Sequence, residues 1–140
     1  MIGIIDSGRG NILSVKNAFE ILGEEVCVCT NPDELLKVER IVLPGVGAFK
    51  DCMSSLTSKG FVEILNELVI KKEKPMLGIC LGMQVMAKKG YEGEEFNGLG
   101  WFDAQVVRLN PQDSKLRIPH IGWNNISFDS ESFLFKGLPP

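Results

Sequence analysis

Histidine is close to missing, with His120 the single instance in a chain of 140 residues. The four cysteines include no C-x-x-C spacing. The ligand clusters of a zinc site are therefore lacking, and neither a metal nor a cofactor is expected. Long apolar runs are absent too. The run Ile2 to Ile5 meets Asp6 at once, short of a signal-peptide core and of the roughly 18 apolar residues a membrane span requires. No membrane association is expected, and the expected location is cytoplasmic. A basic excess is also lacking: the net charge of −3 argues against a nucleic-acid partner. Lysines cluster only at Lys71, Lys72, Lys74 and at Lys88, Lys89, each time closing an apolar-periodic segment, where cations suit the negative end of a helix dipole. Repeats, low-complexity tracts and linkers are not visible. What remains, 44% hydrophobic and 24% charged residues, is the composition of one globular domain.

Short apolar runs alternate with segments of helical period. Strands are expected at Ile2–Ile5, Glu25–Thr30, Arg40–Leu43 and Met76–Ile79, the last too apolar to have a solvent face. Helices are expected from Asn11 to Leu22, along Phe61, Ile64, Leu65 and Leu68, and from Leu81 to Lys89, closed by Gly90. This rhythm predicts a parallel sheet covered by helices on both faces. After Gly90, Trp101–Leu109 and Asn124–Phe128 read as strands separated only by turns, which suits antiparallel additions at a sheet edge. Cys27 and Cys29, two apart in a β-branched run, fall on one strand face as buried thiols, and Cys52 is grouped with them.

Gly78-Ile79-Cys80-Leu81-Gly82 carries the strongest chemical signal. It places a cysteine between an expected strand and an expected helix with glycine two residues to either side. That spacing belongs to a nucleophile elbow, where small neighbours let a sharp turn lift the sulfur above the sheet edge. A following helix N-terminus favours thiolate over thiol. The bland alternative is a core cysteine between two packing glycines. Pro44-Gly45-Val46-Gly47 follows the third strand and so emerges at the same edge as Cys80. Backbone N–H groups there, with that of Leu81, form a candidate oxyanion hole; the alternative is an ordinary strand-to-helix turn. Asp6 to Asn11 gives G-x-G-x-x-L without a third glycine, and the second strand ends in Thr30-Asn31 with no acidic ribose ligand. A dinucleotide site is thereby disfavoured.

Together, Gly78 to Gln84, Leu43 to Phe49, the opening Ile4-Ile5-Asp6 with Gly8 to Asn11, and Pro119 to Asn124 resemble the class I glutamine amidotransferases. Within that family they resemble the glutaminase subunits of histidine biosynthesis. The resemblance implies a flavodoxin-like three-layer α/β sandwich with a mostly parallel sheet and antiparallel additions. It also implies hydrolysis of glutamine through a thioester on Cys80, with ammonia passed to a barrel-shaped synthase or cyclase subunit. In this reading Leu81, Val46 and Gly47 hold the oxyanion, and Gly47, Gln84 and Glu92 match positions that contact glutamine. Asn11, His120, Gly122, Trp123 and Asn124 match the face towards the ammonia acceptor. Family members carry a catalytic His and Glu, two residues apart, beyond the position matching Pro140. Residues 1–140 are accordingly expected to be the N-terminal part of the domain, truncated at its C-terminus. Two alternatives stay open: the equivalent subunit for sugar amidation in surface-polysaccharide synthesis, and a catalytically silent partner-binding module.

Overall fold

The computed structural model describes residues 1–8, 10–110, 118–119, 121–129 and 132–137. Two compact units divide the chain, Met1–Arg108 and Leu109–Pro140. In the first unit four strands, β1 (Ile2–Ile5), β2 (Val26–Cys29), β3 (Arg40–Gly45) and β4 (Met76–Cys80), form a sheet of order β2-β1-β3-β4. Every pairing in it is parallel, as the alternating strand and helix pattern predicts. Register sorts the side chains. Ile4 pairs with Val42 and joins Ile2 on one face, while Ile5, Ile41 and Leu43 belong to the other.

Helix α1 (Ile12–Ile21) lies on the first face, with Ile12, Val15 and Phe19 against Ile2, Ile4 and Val42. Asn11 caps it, accepting the Ser14 N–H at 3.2 Å. The opposite face holds the main core. There α2 (Phe49–Ser58) and α3 (Phe61–Leu65) cover the sheet with Phe49, Cys52, Met53, Leu56, Phe61 and Leu65. Helix α3 continues into a π-helical turn, Asn66–Lys71, and a 3₁₀ turn, Pro32–Lys37, joins β2 to β3. Helix, sheet and helix make the three layers of the expected α/β fold.

Several expectations need correction. Cys52 is buried on α2 and not on a strand; Phe49, Cys52, Met53 and Leu56 have the i, i+3, i+4, i+7 spacing of a helix face. Cys27 and Cys29 do share one strand face, their sulfurs 3.8 Å apart. Among the described residues β4 does present a side chain to solvent, with Leu77 51% exposed, and it is also the end strand of the sheet. The expected helix from Leu81 to Lys89 is one turn, α4 (Leu81–Gln84), followed by β5 (Ala87–Glu92). A later segment captures the carbonyls a longer helix needs: Leu99 N–H donates to Val85 at 2.8 Å and Trp101 N–H to Met86 at 2.9 Å. Lys88 and Lys89 therefore sit on a strand, where Lys89 pairs with Glu95.

The strand additions form a separate sheet. β5 lies between β6 (Glu94–Asn97), antiparallel to it, and β7 (Phe102–Val106), parallel to it. In the second unit, the strand expected at Asn124–Phe128 does not form. Phe128 and Phe135 make an aromatic contact within that unit, ring centroids 4.7 Å apart.

Candidate active site

Cys80 ends β4 at φ 53°, ψ −114°, a backbone conformation that non-glycine residues rarely adopt. The flanking glycines make it possible. A Cβ on Gly78 would lie 2.6 Å from the Met83 nitrogen, and one on Gly82 would lie 1.7 Å from the Leu43 carbonyl oxygen. Both glycines of the G-x-C-x-G spacing are thus required by the closeness of the turn. Cys80 itself is exposed, whereas Cys29 and Cys52 are buried. The bland reading of Cys80 as a core thiol does not hold.

β-sheet register brings the glycine loop to the thiol. Gly45 is the direct ladder partner of Cys80, so Val46 and Gly47 leave the sheet immediately beside it. A Cβ on Gly45 would stand 3.0 Å from the Leu81 Cβ and 3.1 Å from the Gly82 nitrogen, which shows how closely loop and elbow approach. Gly47 has φ 102°, the left-handed region that favours glycine. Leu81 is the first residue of α4, and a first-turn N–H has no partner within its own helix. The dipole behind Cys80 is that of a single turn.

Gln84 ends that turn and is half-buried. Glu92 lies at the end of β5, where its Oε2 accepts the Phe49 N–H at 2.9 Å. Structure thus joins Glu92 to the start of α2, two residues beyond Gly47. The family resemblance pointed to Glu92 but not to Phe49, whose apolar ring gave no sign of a backbone role. Beside the glycine loop, Gly8 N–H donates to Asp6 Oδ1 at 2.7 Å, Lys59 Nζ donates to the Asp6 carbonyl at 2.9 Å, and the Ser55 hydroxyl donates to the Ser7 carbonyl. Those bonds fix the turn after β1 at the same sheet edge. Asn11 follows that turn and is exposed. Gly122, Trp123 and Asn124 belong to the second unit and are exposed, Trp123 fully so; His120 lies outside the described residues.

One hollow, of about 320 Å³, lies between α1 and β4 and is lined by Ser14, Val15, Ala18, Phe19, Leu22 and Ile79. Its lining is almost wholly apolar and unsuited to a zwitterionic amino acid. Among the described residues no three His, Cys, Asp or Glu side chains gather as metal ligands would. Nor does any helix among them have the length and apolarity to cross a membrane.

A strained, exposed cysteine at the strand-to-helix turn of a parallel sheet has the placement found in one class, the α/β proteins that attack carbonyl carbon from such an elbow. The family model for glutamine amidotransferase class-I matches residues 3–140, and the chain belongs to that family. Among its relatives, the imidazole glycerol phosphate synthase subunit HisH 1 of Campylobacter jejuni (strain 81-176) is 44% identical over 138 residues, covering 99% of this chain and 68% of the relative. Subunit HisH of Pelagibacter ubique is 40% identical over 141 residues, covering 98% and 68%. That of Zymomonas mobilis is 44% identical over 135 residues, covering 94% and 63%. A crystal structure of a glutamine amidotransferase superposes with a TM-score of 0.63 at 20% identity, covering 74% of this chain and 54% of that one. At that identity it supports the fold alone. The chain thus spans about two thirds of its curated relatives' length and about half of the solved structure's.

Proposed function

We propose that this chain is the N-terminal part of a cytoplasmic glutaminase subunit that delivers ammonia to a synthase or cyclase in histidine biosynthesis. The pairing of Gly45 with a strained, exposed Cys80 carries this reading. It sets a sulfur nucleophile beside a glycine loop, as attack on an amide requires. The names of the relatives favour histidine biosynthesis over sugar amidation as the destination of the ammonia.

In the proposed reaction the Cys80 thiolate attacks the side-chain amide carbon of glutamine. The carbonyl oxygen becomes an oxyanion held by the N–H of Leu81 and by the Val46–Gly47 backbone. Collapse breaks the C–N bond, and the departing nitrogen takes a proton to leave as ammonia. Water then cleaves the thioester, releasing glutamate and the thiol. Gln84, Glu92 and the Gly47 backbone bind the substrate. By the family resemblance, Asn11 in the first unit and, separately, Gly122, Trp123 and Asn124 in the second are assigned to contact with a barrel-shaped partner; His120, assigned with them, lies outside the described residues. Each oxyanion donor contributes roughly 3 to 4 kcal/mol, and a positioned base a further 10²- to 10⁴-fold. Relatives extend well beyond the matched length, and the proton-transfer group is assigned to such an extension.

The test is incubation of the chain with glutamine, with and without a synthase partner, following ammonia release and the mass of Cys80. Acylation of Cys80 with slow release of glutamate is expected. An unreactive Cys80 in a folded chain extended to the full length of its relatives overturns the nucleophile assignment. Rapid turnover by the 140 residues alone overturns the assignment of the base.

A further inference from the structure

We propose that Glu92 is a positioning residue, fixing the glycine loop beside Cys80 through the first N–H of α2. The inference rests on the glutaminase reading and extends it. Ala48, at the N-cap of α2, supplies no side-chain acceptor. That place is taken from 43 residues away, by the Glu92 carboxylate on the Phe49 N–H. A carboxylate suits the positive end of a helix both as acceptor and as charge.

The same strand grips the ring of Phe49. The side chain is 1% exposed; a Cβ on Gly90 would come within 2.6 Å of its Cγ, and one on Gly98 within 3.0 Å of its Cζ. Backbone and ring of Phe49 are therefore both held by the β5–β6 hairpin and the turn after it. Phe49 follows Gly47 by two residues, so the direction in which the loop N–H groups point is set from Phe49 backwards. One Glu92 oxygen takes this bond. The second is available to a substrate ammonium, so a single exposed carboxylate joins substrate recognition to loop geometry.

Two variants test this, Glu92→Ala, which removes the acceptor, and Glu92→Gln, which keeps an accepting oxygen without the charge. Two electrophiles are compared on Cys80. A glutamine-derived chloromethyl ketone forms a thioether as the sulfur bonds to its methylene carbon and chloride leaves to solvent, and it presents a carbonyl oxygen to the loop. Iodoacetamide loses iodide and builds no oxyanion. In Glu92→Ala the saturating rate with the ketone is expected to fall roughly tenfold or more, the size of one charge-assisted hydrogen bond. The iodoacetamide rate stays within about twofold. In Glu92→Gln the saturating rate is largely retained while the half-saturating concentration rises. A wild-type saturating rate in Glu92→Ala, with only the half-saturating concentration raised, overturns the proposal.

Amide hydrogen exchange at Phe49 decides the matter without any glutamine chemistry. Acceleration of tenfold or more in Glu92→Ala, partly reversed in Glu92→Gln, supports the proposal; unchanged exchange overturns it. If the wild type shows no preference for the ketone, the glutaminase reading fails and the exchange result still decides the role of Glu92. Should Glu92→Ala not fold, Glu92→Gln with a wild-type half-saturating concentration and unchanged exchange overturns it as well.

Discussion

A Cβ at position 82 would lie inside the contact distance of the Leu43 carbonyl oxygen, at 1.7 Å. Backbone cannot move aside as a flexible side chain can. Gly82→Ala is expected to lose roughly 3 kcal/mol or more. Gly93→Ala, at φ 84° with nothing within 4 Å, carries only its backbone strain, about 1 kcal/mol. Urea unfolding midpoints of the two variants check this order. A second residue-scale outcome concerns Cys29. Burial, and then the neighbouring Cys27, push its thiol from 9.0 up to about 12. Above pH 9 the unfolded chain releases this proton while the folded chain keeps it, so stability falls as pH rises from 9 towards 12. The difference in slope between wild type and Cys29→Ala, in denaturation series across that window, measures the contribution. The elbow glycines were legible in the sequence because their requirement is local: two residues either side of a nucleophile. The partnership of Glu92 with Phe49 was not, because it joins residues 43 apart through a backbone atom that every residue carries.

Among elements, the four parallel strands were readable from their apolar runs, and β1 and β3 show why most clearly, since a strand covered on both faces has little room for polar residues. Helix α2 has as clear a pattern as α3, but Cys52 within it was grouped with the strand thiols by residue type when its spacing from Phe49 and Leu56 was the better guide. The segment after Cys80 misled for a different reason. Its apolar and lysine pattern is compatible with a helix, and tertiary pairing diverts it into a strand: the backbone bonds from Leu99 and Trp101 and the ladders with β6 and β7. Trp101 also ties that region to the π-helical turn, its indole N–H donating to Asn66 Oδ1 at 2.7 Å in a half-buried setting. Asn66→Ala leaves the donor without its partner and is expected to cost about 1 kcal/mol. A thermal melt reads the loss, and a shift in tryptophan emission places it at Trp101.

For the molecule as a whole, the sequence motifs ran through both units, yet the structure gives the first a sheet core and leaves the second with exposed apolar side chains. Trp123 is the largest of these. Under the proposed function, Trp123→Ala leaves the chain's melting temperature unchanged and weakens binding to a synthase partner at least tenfold, as loss of an aromatic anchor does; calorimetric titration against that partner is the measurement. The strand expected at 124–128 does not form among the described residues, and alternating polarity specifies a strand only together with a neighbour that pairs with it. Pairing has a further consequence for the elbow. β3 and β4 are separated in sequence by α2, α3 and the π-helical turn, so their ladder is a non-local pairing that the intervening crossover must bring together. Gly45 and Cys80 meet at the end of that ladder. Under the proposed function, a chain in which this ladder is open holds its sulfur without the backbone donors beside it. Under the proposed function, carbonyl selectivity is in this sense a property of the closed ladder, expected to be lost wherever β3 and β4 part.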